Sequence, residues 1–107
     1  MSQTRQKIKA VIHKYKETLE GLGIHVERII LYGSFVSGSP REDSDIDLIV
    51  ISKDFKKFNI RERLEILGVA AVRVMKPIEA KGYTPNEIKN ISPLSYLYEV
   101  FKVGLVI

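Results

Sequence analysis

The sequence predicts an α+β domain, a small mixed β-sheet with helices packed on it, and three observations predict it. The first is an apolar stripe at helical spacing, Ile8, Val11, Ile12, Tyr15 and Leu19, with lysines and glutamates between. The second is a pair of short β-branched runs, one ending Ile29-Ile30-Leu31-Tyr32 and one spanning Ile46 to Ile51. The third is the order of the elements, α-β-loop-β-α-β-α-α, which is not the repeating βαβ of a parallel array. A chain of 107 residues with 45% hydrophobic side chains suits one domain, residues 1–107, around one modest core.

Each element follows from its own signal. Thr4 to Leu22 reads as a helix that Gly21 and Gly23 stop. Val26 to Tyr32 is a strand, Gly33 to Ser44 a small polar loop punctuated by Gly38 and Pro40, and Asp45 to Ser52 a second strand. Lys53 to Phe58 is a basic turn. Asn59 caps a helix from Ile60 to about Met75, with Ile60, Leu64, Leu67, Ala71 and Val74 as its predicted apolar stripe. Pro77 ends it and opens a third strand to Tyr83. Thr84, Pro85 and Glu87 form a capping box with proline at the first helical position, so a brief helix follows. Ser92-Pro93 is expected to start a last helix to about Val103 in the same way. Leu94, Tyr96, Leu97, Tyr98 and Phe101 on it are expected to be mostly core. After Gly104 comes an apolar tail, Leu105-Val106-Ile107, which predicts a partner or homo-oligomer surface.

Composition narrows the function. The chain has no cysteine, which removes disulfides, thiol catalysis and Cys-based metal sites. No run approaches the roughly 18 apolar residues of a membrane span, and no membrane association is expected. Met1 to Lys7 has no apolar stretch behind it, so no signal peptide is expected and the expected location is cytoplasmic. The net charge is +4, with Arg5, Lys7, Lys9, Lys14 and Lys16 crowding the first helix. Polyanion binders interleave such charges with aromatics, and only Tyr15 is near. These charges read as a solvated helix face, and direct nucleic-acid binding is not expected. His13 reads as helix surface and His25 as a loop residue.

The chemistry concentrates in one stretch. Asp45 and Asp47 stand two apart on a strand, so both point to one face, about 6–7 Å apart. Two such charges repel by roughly 2–3 kcal/mol at an effective dielectric near 20. A divalent cation offsets that, and carboxylate oxygens are what Mg²⁺ prefers. Upstream, Gly33-Ser34 directly follows the first strand. A glycine turn lets a ligand approach the backbone, and free amides with the Ser34 hydroxyl make a phosphate cradle. The spacing Gly-Ser-x10-Asp-x-Asp joins the two halves and sets metal and phosphate sites facing each other.

The stretch from Leu31 to Leu48, LYGSFVSGSPREDSDIDL, resembles the signature of the polymerase-β-like nucleotidyltransferase superfamily. It is most similar to the stand-alone minimal nucleotidyltransferase proteins, whose length and helix–strand order it shares. The resemblance implies the palm-like fold of that superfamily. It implies that Gly33 and Ser34 grip the triphosphate, and that Asp45 and Asp47 hold Mg²⁺. A third carboxylate is implied on the next strand, where Glu79 stands at a position more often Asp. Glu79 then completes the metal and catalytic set or takes the proton of the attacking hydroxyl. Ser37 replaces a basic residue that many relatives carry, and Arg41 is the candidate to reach the phosphates from the loop. The implied reaction moves a nucleoside monophosphate, AMP from ATP, onto a hydroxyl. The implied acceptor is a Tyr, Ser or Thr of a helical HEPN-type toxin to which the chain is antitoxin. Glu79 and Ser37 leave open a second reading, a weak or inactive binding module that neutralises its partner by contact. RNA nucleotidyl transfer ranks third, because 107 residues hold no separate RNA-binding domain.

Overall fold

The computed structural model describes residues 2–33 and 45–107. In chain order it contains α1 (Ser2–Gly21), β1 (Arg28–Tyr32), β2 (Ile46–Ile51), a 3-10 turn (Lys53–Lys57), α2 (Ile60–Val74), β3 (Ile78–Tyr83), α3 (Pro85–Lys89), α4 (Tyr96–Val103) and β4 (Leu105–Val106). The strands form one sheet in the order β3-β2-β1-β4. β1 runs antiparallel to β2 and β4, while β2 and β3 are parallel across the α2 crossover. The sheet is therefore mixed, as the order of elements predicts.

α1 buries Ile12, Tyr15 and Leu19 of its stripe against the sheet and α2. The Tyr15 hydroxyl donates to the Leu67 carbonyl at 2.8 Å, which ties the two helices together. Burial pushes the Tyr15 phenol far above the usual tyrosine range, so this donor stays protonated. The helix stops where its glycines predict. Gly23 takes φ 95°, its amide donates to the Glu20 carbonyl, and the Ile24 amide donates to the Leu19 carbonyl. That is a Schellman end, and buried Ile24 supplies its apolar contact.

Three expectations change. In α2 the buried side is Arg63, Leu67, Ala70 and Val74. Leu67 and Val74 hold from the predicted stripe, but Ile60 and Leu64 are 59% and 50% exposed. The helix is turned so that Arg63 faces inward. Its guanidinium donates to the carbonyls of Phe55, Phe58 and Gly82 and pairs with Glu87 at 2.7 Å. Asn59 caps α2 as expected and also closes a capping box with Glu62, and the expected capping box at Thr84 is present.

The last helix begins at Tyr96, not after Ser92-Pro93. Ser95 is its cap, accepting from the Leu97 amide, while the Ser92 carbonyl accepts from the Ser95 amide in a preceding turn. Leu94 in that turn is 96% exposed and Tyr98 is exposed too; Val100 is buried, with Leu97 and Phe101 half-buried beside it. The third change is the tail. Leu105 and Val106 pair with β1 as β4, although their side chains remain exposed.

The sheet divides the apolar residues in two. Ile29, Leu31, Ile46, Leu48, Val50 and Ala80 face the main core beneath α1 and α2. Ile30, Tyr32, Ile49 and Ile51 face the other way and pack with Val100 of α4.

Candidate active site

β1 delivers its last residue, Tyr32, directly opposite Asp47 near the start of β2. β3 runs parallel on the other side of β2 and sets Glu79 directly opposite Asp47. Residues opposite one another in a sheet share a face. Tyr32, Asp47 and Glu79 therefore form a row across three strands, each about 4.8 Å from the next. Asp45 lies just before β2, exposed like Glu79, while Asp47 is half-buried. The sequence expectation that Asp45, Asp47 and Glu79 occupy one region agrees with this register. No line of sequence alone gives the register, because Glu79 reaches Asp47 only through the α2 crossover.

The electrostatics match the row. Burial raises the Asp47 carboxyl above its ordinary range, and Glu79 and then Asp45 raise it further; Lys81 acts in the opposite direction. A carboxylate pressed by two others is a group that gains from a cation. Among the described residues, no three Asp, Glu or His side chains already converge on one metal position. Mg²⁺ does not require that. It takes one or two carboxylates and fills its remaining positions with substrate phosphate and water. The oxygen donors of Asp45, Asp47 and Glu79 fit it in kind.

The turn after β1 is shaped around Asp47. Gly33 has φ 78°, a left-handed angle that L side chains rarely adopt. A Cβ on Gly33 would overlap Asp47 Oδ2 and stand 3.1 Å from its Cγ. Glycine is needed there twice over, for the angle and for the approach of the carboxylate. Ser34 and Arg41, the other predicted nucleotide-binding residues, lie outside the described residues, as does Ser37.

Sequence reasoning passed over several polar residues. Lys81 follows Glu79 at the same two-residue spacing that relates Asp45 to Asp47, and that parity was the available signal. His25 does more than sit in a loop. Its amide donates to Asp54 Oδ2 at 2.8 Å, its Nδ1 lies 3.1 Å from the same oxygen, and its carbonyl accepts from the Ser52 hydroxyl. This clamp fixes the turn between β2 and α2, and no sequence motif announces it. On α1, Lys9, His13 and Lys16 line a cleft of about 360 Å³ with Arg28 of β1. The predicted solvated face is thus partly a groove wall.

Comparison with known proteins gives the family and the fold. The family described as Polymerase beta, Nucleotidyltransferase matches residues 6–107. A protein adenylyltransferase MntA from Thermococcus cleftensis is 31% identical over 94 residues, covering 82% of this chain and 93% of that protein. A crystal structure of a toxin–antitoxin with AMP-PNP superposes with a TM-score of 0.61 at 20% identity, over 88% of this chain and 69% of that one. A putative nucleotidyltransferase from Sulfolobus solfataricus superposes with a TM-score of 0.54 at 18% identity, over 92% and 83%. At those identities the two structures speak for the fold. No described helix is long and apolar enough to cross a membrane.

Proposed function

The chain belongs to the polymerase-β nucleotidyltransferase family, and from that premise we propose that it is a Mg²⁺-dependent protein adenylyltransferase acting as an antitoxin. The donor is ATP and the acceptor a hydroxyl on a partner, a HEPN-type helical toxin. The observation that carries the reading is the row at the head of β2: Asp47 opposite Glu79, with the Gly33 turn fitted against the Asp47 carboxylate. The 31%-identical relative named as a protein adenylyltransferase supports AMP as the group moved. The toxin–antitoxin with AMP-PNP, similar in fold, supports the class of partner and of nucleotide.

The chemistry asks little covalent work of the protein. The acceptor oxygen bonds to the α-phosphorus of ATP, the bond from that phosphorus to the bridging oxygen breaks, and pyrophosphate leaves. Asp45 and Asp47 are the residues that would hold Mg²⁺, with Glu79 completing the set. When bound, the cation supplies charge stabilisation on the phosphate oxygens. Glu79, exposed on an edge strand, takes the proton of the incoming hydroxyl. The Gly33 turn and Ser34 grip the polyphosphate, with Arg41 reaching in from the loop. Catalysis is then positioning and electrostatics, as phosphoryl transfer generally is.

A second reading has one observation in its favour. Glu79, one methylene longer than the Asp more common at that position of the family, suits a module that neutralises by contact. One experiment separates the two. The chain and its candidate toxin are incubated with ATP labelled on the α-phosphate and Mg²⁺, beside an Asp45→Asn/Asp47→Asn variant. Label on the toxin with the native chain only, lost on adding a chelator, is the expected result. Absence of label, with neutralisation intact in both, rejects the enzyme reading. Label on RNA in place of the toxin redirects it to RNA nucleotidyl transfer.

A further inference from the structure

β3 carries two charged residues on the face of the carboxylate row, and Glu79 accounts for one. Lys81 stands two residues on, so strand alternation returns it to the same face. Its backbone is opposite Ile49, the next same-face position after Asp47 along β2. An exposed lysine on an edge strand often only discourages stray pairing. A lysine with that role alone has no bearing on the site.

Lys81 does bear on it. The register sets Lys81 one same-face step along β3 from Glu79 and diagonally across from Asp47, and it is exposed. Among the described residues no carboxylate lies within ion-pair distance of its ammonium. Among the described residues it is thus a cation with no carboxylate partner, beside the three carboxylates where the nucleotide reading sets a polyanion.

We infer that Lys81 is a phosphate-binding residue of this site, its ammonium meeting the polyphosphate of the nucleotide on the β3 side of Asp47. The Gly33 turn lies on the opposite, β1 side of Asp47. The nucleotide then enters between a backbone turn on one flank and a point charge on the other. Lysine suits that task, because its ammonium offers three donors on a flexible stem to phosphate oxygens that shift during transfer. Lys81 acts as a positioning charge, outside the proton transfer.

The inference rests on the nucleotide reading above, and calorimetric titration keeps the two separable. The native chain, Lys81→Gln and Lys81→Arg are each titrated with ATP and Mg²⁺, then with adenosine. Lys81→Gln is expected to weaken ATP binding roughly tenfold, the worth of one charge-assisted hydrogen bond. Lys81→Arg is expected to recover most of that loss, and adenosine is expected to bind all three chains alike. The melting temperature is expected to stay unchanged. Equal ATP affinity in the native and Gln chains overturns this inference and leaves the nucleotide reading standing. Equal weakening by Gln and Arg, with a fall in melting temperature, assigns Lys81 a structural role and also overturns it. A native chain that binds no ATP sinks the nucleotide reading first and the role of Lys81 with it.

Discussion

Along β2, successive residues look in opposite directions. Ile46, Leu48 and Val50 enter the core beneath α1 and α2, while Asp47, Ile49 and Ile51 face the far side. The two faces differ in how they are covered. α1 has 20 residues and α2 has 15, so each spans more than about 20 Å and closes its face. α4 has eight residues, about 12 Å, and packs in one cluster with Ile30, Tyr32, Ile49 and Ile51, flanked by Tyr83 and Ile88. Glu79 and Lys81 are exposed and Asp47 is half-buried. The charged half of that face lies beyond the apolar patch on which α4 packs.

The sharpest test of this contrast uses two neighbours. Asp47→Asn is expected to cut nucleotidyl transfer by roughly a hundredfold or more, several kcal/mol of transition-state stabilisation. Its folding stability at neutral pH is expected to hold or rise. The sign follows from the raised Asp47 carboxyl: the native chain binds its proton more tightly than the unfolded chain does. Stability therefore falls as pH rises through that titration, and the variant escapes the penalty. Leu48→Ala, one residue on and fully buried, is expected to lose about 2–5 kcal/mol of stability. Chemical denaturation beside a transfer assay reads both. A large stability loss in Asp47→Asn would break the division between the faces.

Arg63→Ala comes next, at about 3 kcal/mol lost in the same denaturation experiment. It removes a buried guanidinium from three carbonyls and strands Glu87. The pair also sets an acid limit. Hydrogen bonding from Arg63 holds the Glu87 carboxyl below its ordinary 4.5. Its contribution is complete above that value and lost as pH falls through the depressed folded value. A Glu87→Gln variant is expected to flatten stability against pH below about 4.5.

Gly33→Ala is expected to cost about 1–3 kcal/mol, through its positive φ and the overlap with Asp47. Unlike Leu48→Ala, it should lower transfer in the folded population as well, because it displaces the Asp47 carboxylate. The smallest effect is a gain. Met75 ends α2 at φ 61°, exposed and left-handed. Met75→Gly is expected to add about 0.5–1 kcal/mol by relieving that angle, with transfer unchanged.

The two faces were not equally legible in the sequence. β1 and β2 announce themselves by β-branched runs. Asp45 and Asp47 stand out because two acids interrupt an apolar strand, and Gly33 because it follows one. The inward turn of Arg63 is different. A periodicity argument assigns arginine to the surface, whereas here partners 5 to 24 residues away satisfy it, beyond any local window. The start of α4 was ambiguous locally. Ser92 and Ser95 each accept a backbone amide two residues on, and only Ser95 leads into the helix. β4 is two residues long, too short for an alternating pattern. The row Tyr32–Asp47–Glu79 was legible as residues and not as a row, since its register depends on a parallel pairing made through a helix.

That parallel pairing sets an order of assembly. Gly33, Asp45 and Asp47 lie within 15 residues of one another on adjacent antiparallel strands. Glu79 joins them only across the α2 crossover, from β3 on the other edge of β2. A ribosome-bound chain that has emerged only as far as α2 holds the turn and two carboxylates but lacks the third. On the proposal that Glu79 completes the site, transfer activity reports that the crossover is complete and β3 has docked.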